Sequence, residues 1–340
     1  LTTDGSGAVT FADAGGGGSP DLFAENYGGF ATKPSATGSD CVAIGKNAVA
    51  ANGASLAAGA FASSGGNLST AVGLYSNVGS SGSYAVALGW SYANGTNSLA
   101  AAIGNNTSSY GATGSNSVAI GYQAKASGSY AAAIGYSNIS QGYSSFSAGY
   151  DNTVTGDMSI ALGALCTASG LNSVSRTSVA IGYQTTASGG GDIAIGDRSD
   201  TRGIYGKLAH ASGFAGGAGT AQQGQIVLYG ATTDATAKVL SSGYSPSVAA
   251  DATNQVILPN NSAYSFSGTI VARQQAADGT ACAAWKVEGL IRREGSAGTT
   301  VLVNSATTVL DNTPSWGMAL SADTTNGGLA ITVTGAASTD

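Results

Sequence analysis

The chain has 340 residues, of which 53 are glycine, 43% are hydrophobic (much of that share alanine) and 9% are charged. So few large side chains cannot fill a thick globular core, yet the apolar share is too high for a disordered polymer. A net charge of −6 and a pI near 4.6 argue against nucleic acid, whose binding needs basic stripes, and no apolar run approaches the roughly 18 residues of a membrane helix.

Residues 1–37 contain "AGGGGSP" (Ala14 to Pro20) and read as a shaft end and Gly-rich linker. The chain opens on Leu1 rather than Met, so its natural start is expected upstream.

Residues 38–203 repeat one phrase. "SVAIGYQAKASGSYAAAIGYS" (Ser117 to Ser137) contains it twice, 14 residues apart. Aligned on its glycine, the series is Gly45, Gly59, Gly73, Gly89, Gly104, Gly121, Gly135, Gly149, Gly163, Gly182 and Gly196. A fixed short period over eleven units signals a solenoid, and 14 residues fit one coil of two short strands and two turns. At the strand spacing of ~4.8 Å, eleven coils would rise about 50 Å.

The columns of the repeat assign faces. Val118 and Ile120, with their counterparts three and one before each glycine, share one face of a strand and read as the interior of the coil. Between them stands alanine in ten units and Ser147 in the other. A column with neither charge nor bulk reads as a surface that a neighbouring chain approaches closely. This assigns Ala43, Ala71, Ala87, Ala119, Ala133, Ala161, Ala180 and Ala194 to packing between chains. In the second strand Ala124 and Ala126 face inward, opposite Val118 and Ile120, and Lys125 faces water. Gly53, Gly128, Gly142, Gly156, Gly170 and Gly189 close the coils, where a positive φ is cheap for glycine. Several chains side by side imply cyclic symmetry.

One column carries aromatics. The residue after the glycine is Trp90, Tyr122, Tyr136, Tyr150 or Tyr183 in five units. Tyr122, Tyr136 and Tyr150 fall in consecutive coils, so their rings should stack. They can cover the turn, or they can offer a glycan contact.

The phrases "SVAIGYQAKASG" and "SVAIGYQTTASG" (Ser178 to Gly189) closely resemble the head repeats of trimeric autotransporter adhesins. The resemblance implies a left-handed parallel β-roll and a homotrimer, with rolls side by side or intertwined. Two features of that family are missing: no "TDAVNV"-type neck follows the repeats, and no heptad stalk appears.

Residues 204–224 form a Gly/Ala-rich connector carrying the chain's one histidine, His210. From residue 225 to 340 the period vanishes. Strands are expected at 226–229, 255–258, 264–274, 281–292, 299–303, 317–320 and 329–333. Turn signals lie between them at Pro259-Asn260-Asn261, Asp278-Gly279, Ser296-Ala297-Gly298 and Asn326-Gly327-Gly328. Such spacing indicates an antiparallel β-sandwich or jelly-roll-like tip domain. The chain stops soon after "LAITVTG", so a further pairing strand is expected beyond it. "LTTDGSGAVTF" (Leu1 to Phe11), "QIVLYGATTDATAKVL" (Gln225 to Leu240) and "AWKVEGLIRREG" (Ala284 to Gly295) resemble segments of phage tail fibres.

The fold class expected is therefore all-β: a β-roll solenoid of about 11 coils, then an antiparallel tip domain. No catalysis, cofactor or metal is expected. His210 in a flexible connector lacks the rigid support a catalytic triad needs. Cys41, Cys166 and Cys282, far apart, read as isolated small buried residues. Glu25, Glu288 and Glu294 are scattered. Asp192, Asp197 and Asp200 beside Arg198 and Arg202 could pair for glycoside cleavage or hold calcium, but a charge-paired, solvated end cap is the preferred reading, because a solenoid needs a polar terminus.

The function expected is a homotrimeric phage tail fibre on the virion. Its tip would bind a bacterial surface glycan or outer-membrane receptor, and other tail or baseplate proteins would be its partners. The alternatives are a bacterial trimeric surface adhesin and a polysaccharide-depolymerising tailspike.

Overall fold

A computed structural model describes residues 2–3, 9–10, 33–104, 109–170, 177–213, 216–275, 279–312 and 314–336. The linker Ala14–Pro20, Glu25 and Asp278 of the second turn signal lie outside the described residues. Two compact units, Leu1–Asn152 and Thr153–Asp340, make up the chain. Among the described residues no helix is long and apolar enough to cross a membrane.

In the first unit the repeat is a parallel β-solenoid. One sheet runs from Val42–Ile44 to Phe146–Tyr150, one strand per coil; a second, of two-residue strands, runs from Ser35–Ala36 to Ile139–Ser140. The repeat sets the register: Val118 pairs with Ala132, Ala119 with Ala133 and Ile120 with Ile134. The second unit continues the pattern with Ile160–Ala164, Val179–Tyr183 and Ile193–Asp197. Leu208–Ser212, expected in a flexible connector, is a further parallel strand of the same sheet, with Ala209 beside Ala194 and His210 beside Ile195. Gln222–Gln225 then pairs with it antiparallel and ends the ladder.

The faces of the roll are the reverse of those read from the columns. Ala119 is 0% exposed, as are Ala71, Ala87, Ala133, Ala161, Ala180 and Ala194; Ala43, in the first coil, is half-buried. These alanines line the inside of their own coil and cannot pack against another chain. Val118 is half-buried and Ile120 is 36% exposed, so the large residues point outward. The reason is girth. Each coil flattens two very short strands against each other, and mostly small side chains fit between them, with a larger one such as Val78 or Val154 in a few coils. Ala124 and Ala126 do face inward, opposite Ala119 rather than Ile120. The rest of the lumen is largely serine and asparagine bonded to backbone or to each other. Ser117 donates to the Gly114 carbonyl at 2.6 Å, Ser140 and Ser147 share a bond of 2.7 Å, and Asn152 Nδ2 donates to Asn138 Oδ1 at 2.9 Å. Such pairing lets a polar group sit in a dry coil.

Glycine does two separate jobs. Gly121 has φ +113, and a methyl there would run into the carbonyl of Gly135 in the next coil. Of the turn glycines, Gly170 takes a positive φ of 40, as expected, while Gly128, Gly156 and Gly189 are needed for space. A side chain on Gly128 would strike the backbone at Gly142, while the left-handed residue of that turn is Tyr130, at φ 59. Ala54, Ser144 and Met158 do the same in other coils. One unit is also out of register with the glycine series. Ala101 pairs with Ile120, and the Gly121 amide donates to the Ala101 carbonyl, so Ala102 (φ 55) takes the turn position assigned to Gly104.

From Thr153 to Asp340 the solenoid leads into two antiparallel sheets. The three-stranded sheet joins Ser262–Arg273, Cys282–Arg293 and Val301–Asp311. The second builds on Gly328–Thr334, which pairs with Gly317–Asp323, Lys238–Val239 and Val256–Ile257. Leu258, Ile291 and Leu329 are buried between the sheets. Of the expected strands, 226–229 is absent beyond a bridge at Tyr229, and 299–303 extends to Asp311. Asn261 (φ 58) and Gly327 (φ 84) make their turns where the sequence placed them.

Substituting Gly121 by alanine should destabilise the first unit by more than ~3 kcal/mol, combining backbone strain and overlap. The same change at Gly89, with φ +69 and nothing within 4 Å of the added methyl, should cost about 1 kcal/mol. Chemical denaturation of the two variants checks the ranking.

Candidate functional site

The aromatic column forms ladders because a parallel register puts equivalent residues one above the next. Tyr122 stacks on Tyr136 at 5.2 Å between ring centres, and Tyr136 on Tyr150 at 5.0 Å with planes 9° apart. Trp90 belongs to a second ladder, 5.4 Å from Tyr75, which stacks on Phe61 at 4.9 Å. Phe61 and Tyr75 stand two residues after the glycine; reading the next column would have found them. Tyr183, in the second unit, is covered by the Arg198 guanidinium at 5.1 Å. Both faces of Tyr136 are taken by its neighbours. The ladder therefore offers ring edges and hydroxyls, and flat sugar stacking is closed to its central ring.

The acidic cluster is divided between interior and surface. Asp192 is 1% exposed, inside the last repeat coil, so the reading of a wholly solvated cap is corrected. It occupies the column that holds Ser117, Ser145, Ser159 and Ser178 in earlier coils. Its Oδ2 accepts from the Gly189 amide at 2.8 Å and from the Thr201 hydroxyl. Asp197 remains at the surface, 3.3 Å from Arg198. Asp200 Oδ1 accepts from the Arg202 amide at 2.7 Å, and its backbone is clamped by Gln222. With Asp192 sealed in, it forms no carboxylate pair with Asp197 on an open surface. Among the described residues no three His, Cys, Asp or Glu side chains gather to hold a metal.

Lys207 follows Asp192 in the same inner column. Burial, helped by Arg202, lowers its pKa to about 8, against the pull of Asp200 and Asp192. The break in the serine column was a signal that the sequence reading passed over. Tyr264 of the C-terminal sheets lies by Arg202, its pKa raised by burial. The Tyr205 amide donates to the Thr253 carbonyl at 2.7 Å. These contacts dock the end of the ladder onto the antiparallel sheets.

Elsewhere the candidates disperse. His210 is exposed on its strand between Ile195 and Gln223. Cys166 is buried as expected, but Cys41 is half-buried and Cys282 exposed. Glu288 is exposed on the outer face of its strand, and Glu294 pairs with Arg292. One concave feature went unread in the sequence: a cavity of about 720 Å³ between the two C-terminal sheets, bordered by Phe266, Trp285 and Trp316.

The YadA head domain repeat matches residues 112–138, 140–165, 155–175 and 176–199. This stretch of the roll is trimeric-autotransporter-adhesin-like. Among curated proteins the sequence finds no match. The matched repeats include Tyr122, Tyr136, Tyr150 and Tyr183, so these aromatics stand on the adhesin-head-like stretch of the roll.

Two outcomes follow from the geometry. A double-mutant cycle on Tyr136→Ala and Tyr150→Ala should give a coupling of about 0.5–1.5 kcal/mol by thermal denaturation. For Lys207, the unfolded chain holds its proton to higher pH than the folded one. Stability should therefore rise as pH climbs from about 8 towards 10.5. Lys207→Met should lose that rise, on the order of 2 kcal/mol, in denaturant titrations across this window.

Proposed function

We propose that the chain forms a homotrimeric attachment fibre, in which the coils act as a spacer and the C-terminal sheets contact a bacterial surface glycan or receptor. The observation that carries this reading is the apolar outer face of the adhesin-like coils. Val42, Val72, Leu88, Ile120 and Ile134 in the first unit, and Ile181, Ile193 and Ile195 in the second, are all 36% exposed or more. Isolated soluble chains rarely leave such rows uncovered. A second and third copy would bury them, and buried apolar area at about 25 cal/mol per Å² would supply the association energy. The alanines assigned to that interface have their role inside the coil, and the valine and isoleucine columns take it over.

Trimeric display also fits weak ligand contacts, since three linked sites multiply avidity without a tight single site. Attachment is the whole activity in this reading, with no catalytic step. The resemblance of the flanking segments to phage tail fibres favours a place on a virion tail, joined to other tail or baseplate proteins. The match to YadA head repeats favours a second setting, the outer surface of a bacterium.

Light scattering should give a particle three times the 32.8 kDa chain. Ile120→Ser with Ile134→Ser and Ile181→Ser should weaken the trimer while β-sheet circular dichroism persists. A stable wild-type monomer sinks the reading. Gold-labelled antibody on virions, against fractionation of bacterial envelopes, decides between the two settings.

A further inference from the structure

The cavity between the C-terminal sheets has a specific origin. In the strand Ser262–Arg273 the residues Tyr264, Phe266, Gly268 and Ile270 share one face, and the three around Gly268 are large. Gly268 lies beside Val287 and Ile270 beside Trp285 on the neighbouring strand. The Phe266 ring occupies the space that a side chain at Gly289 would take. The glycine leaves a gap in an apolar row whose back, Trp285 and Val287, is buried. No backbone need explains it: Gly268 does not have a positive φ, and an added Cβ would meet only Val287, at an ordinary 3.7 Å. Here the sequence keeps a side chain out of a place that would accept one.

The lining combines two chemistries. Phe266, Trp316 and Tyr229 bring aromatic rings, with the buried Trp285 behind them, while Thr232 and Gln274 bring polar groups. Two of the chain's three tryptophans border this one cavity. Trp316 is held by a reciprocal pair of 2.8 Å hydrogen bonds between its backbone and the Asn312 side chain. Arg273 is the single charged residue in the lining. Its volume, about 720 Å³, falls within the ~300–1,000 Å³ of small-ligand sites. An alkyl chain would leave the hydroxyl and amide groups facing it unpaired, which costs affinity. A sugar satisfies both, with its C–H faces on the rings and its hydroxyls on the threonine and glutamine.

We propose that this cavity is a binding site for a short glycan segment of low charge, and that Gly268 is the residue that keeps it open. The proposal rests on the attachment reading above and gives it a location. The test uses the full-length assembled protein carrying Trp90→Phe, so that fluorescence reports Trp285 and Trp316. It is titrated with uncharged gluco-, galacto-, manno- and N-acetylhexosamine oligomers, and with laurate as the apolar probe. Saturable quenching by at least one oligomer is expected, with affinity reduced tenfold or more in Gly268→Val at an unchanged melting temperature. Trp316→Ala should also lose binding. The proposal is overturned if laurate alone binds, if no oligomer changes the fluorescence, or if Gly268→Val binds as well as its parent. It is equally overturned if iodide quenching shows Trp316 covered in the sugar-free trimer, because a second copy then fills the cavity. Labelled protein is tested on whole bacteria in parallel. Attachment that survives Gly268→Val preserves the attachment reading and overturns the site; oligomer binding without attachment to cells does the reverse.

Discussion

The closeness of the two sheets within each coil governs everything else in the roll. Strands of two to five residues, joined by tight turns, leave a narrow lumen filled mostly by alanine and serine, with Val78, Val154, Asn138 and Asn152 among its few larger residues. Burial of a methyl yields little, so stability cannot come from a thick core. It comes from parallel backbone ladders repeated coil after coil, each coil supplying hydrogen bonds to the next. Close approach then forbids a side chain at Gly121 and Gly128, where the next coil's backbone lies.

Outside, the same constraint forces large side chains into the open. A strand has only two faces, and the inner one is closed to Val118 and Ile120. The outer face collects them into columns, and the turns collect aromatics into ladders. Stacked rings such as Tyr122, Tyr136 and Tyr150 shield one another and add contacts the lumen cannot provide. On so thin a coil these columns leave an apolar exterior. At the last repeat coil serine gives way to Asp192 and then Lys207, charged groups that mark the change from solenoid to antiparallel sheets.

The C-terminal sheets obey a different rule. Their strands reach 12 residues, and their facing sides can hold Phe266, Trp285 and Leu329. With room for bulk, leaving bulk out becomes a choice. Gly268 could carry a side chain and does not, whereas Gly121 and Gly128 of the roll meet the backbone of the next coil. The difference separates a glycine that serves packing from one that serves a cavity.

The sequence alone determined the period, the parallel register and the column that stacks its rings, because equivalent residues in successive coils become neighbours. It also determined the antiparallel strands around Pro259-Asn260-Asn261 and Asn326-Gly327, where turn chemistry is local. It could not decide which side of a strand faced inward. Period two marks two faces and names neither, and a column of alanine fits a cramped lumen as well as a close partner. Only the tertiary structure measured the lumen, put Ala119 inside and Ile120 outside, and moved one coil's turn from Gly104 to Ala102. It also buried Asp192 and Lys207, drew His210 onto a strand, and opened the cavity beside Gly268. The width of the lumen, the moved turn and the cavity depend on distances between segments far apart in the chain, whereas Asp192 and Lys207 leave a trace in the sequence as the break in the serine column.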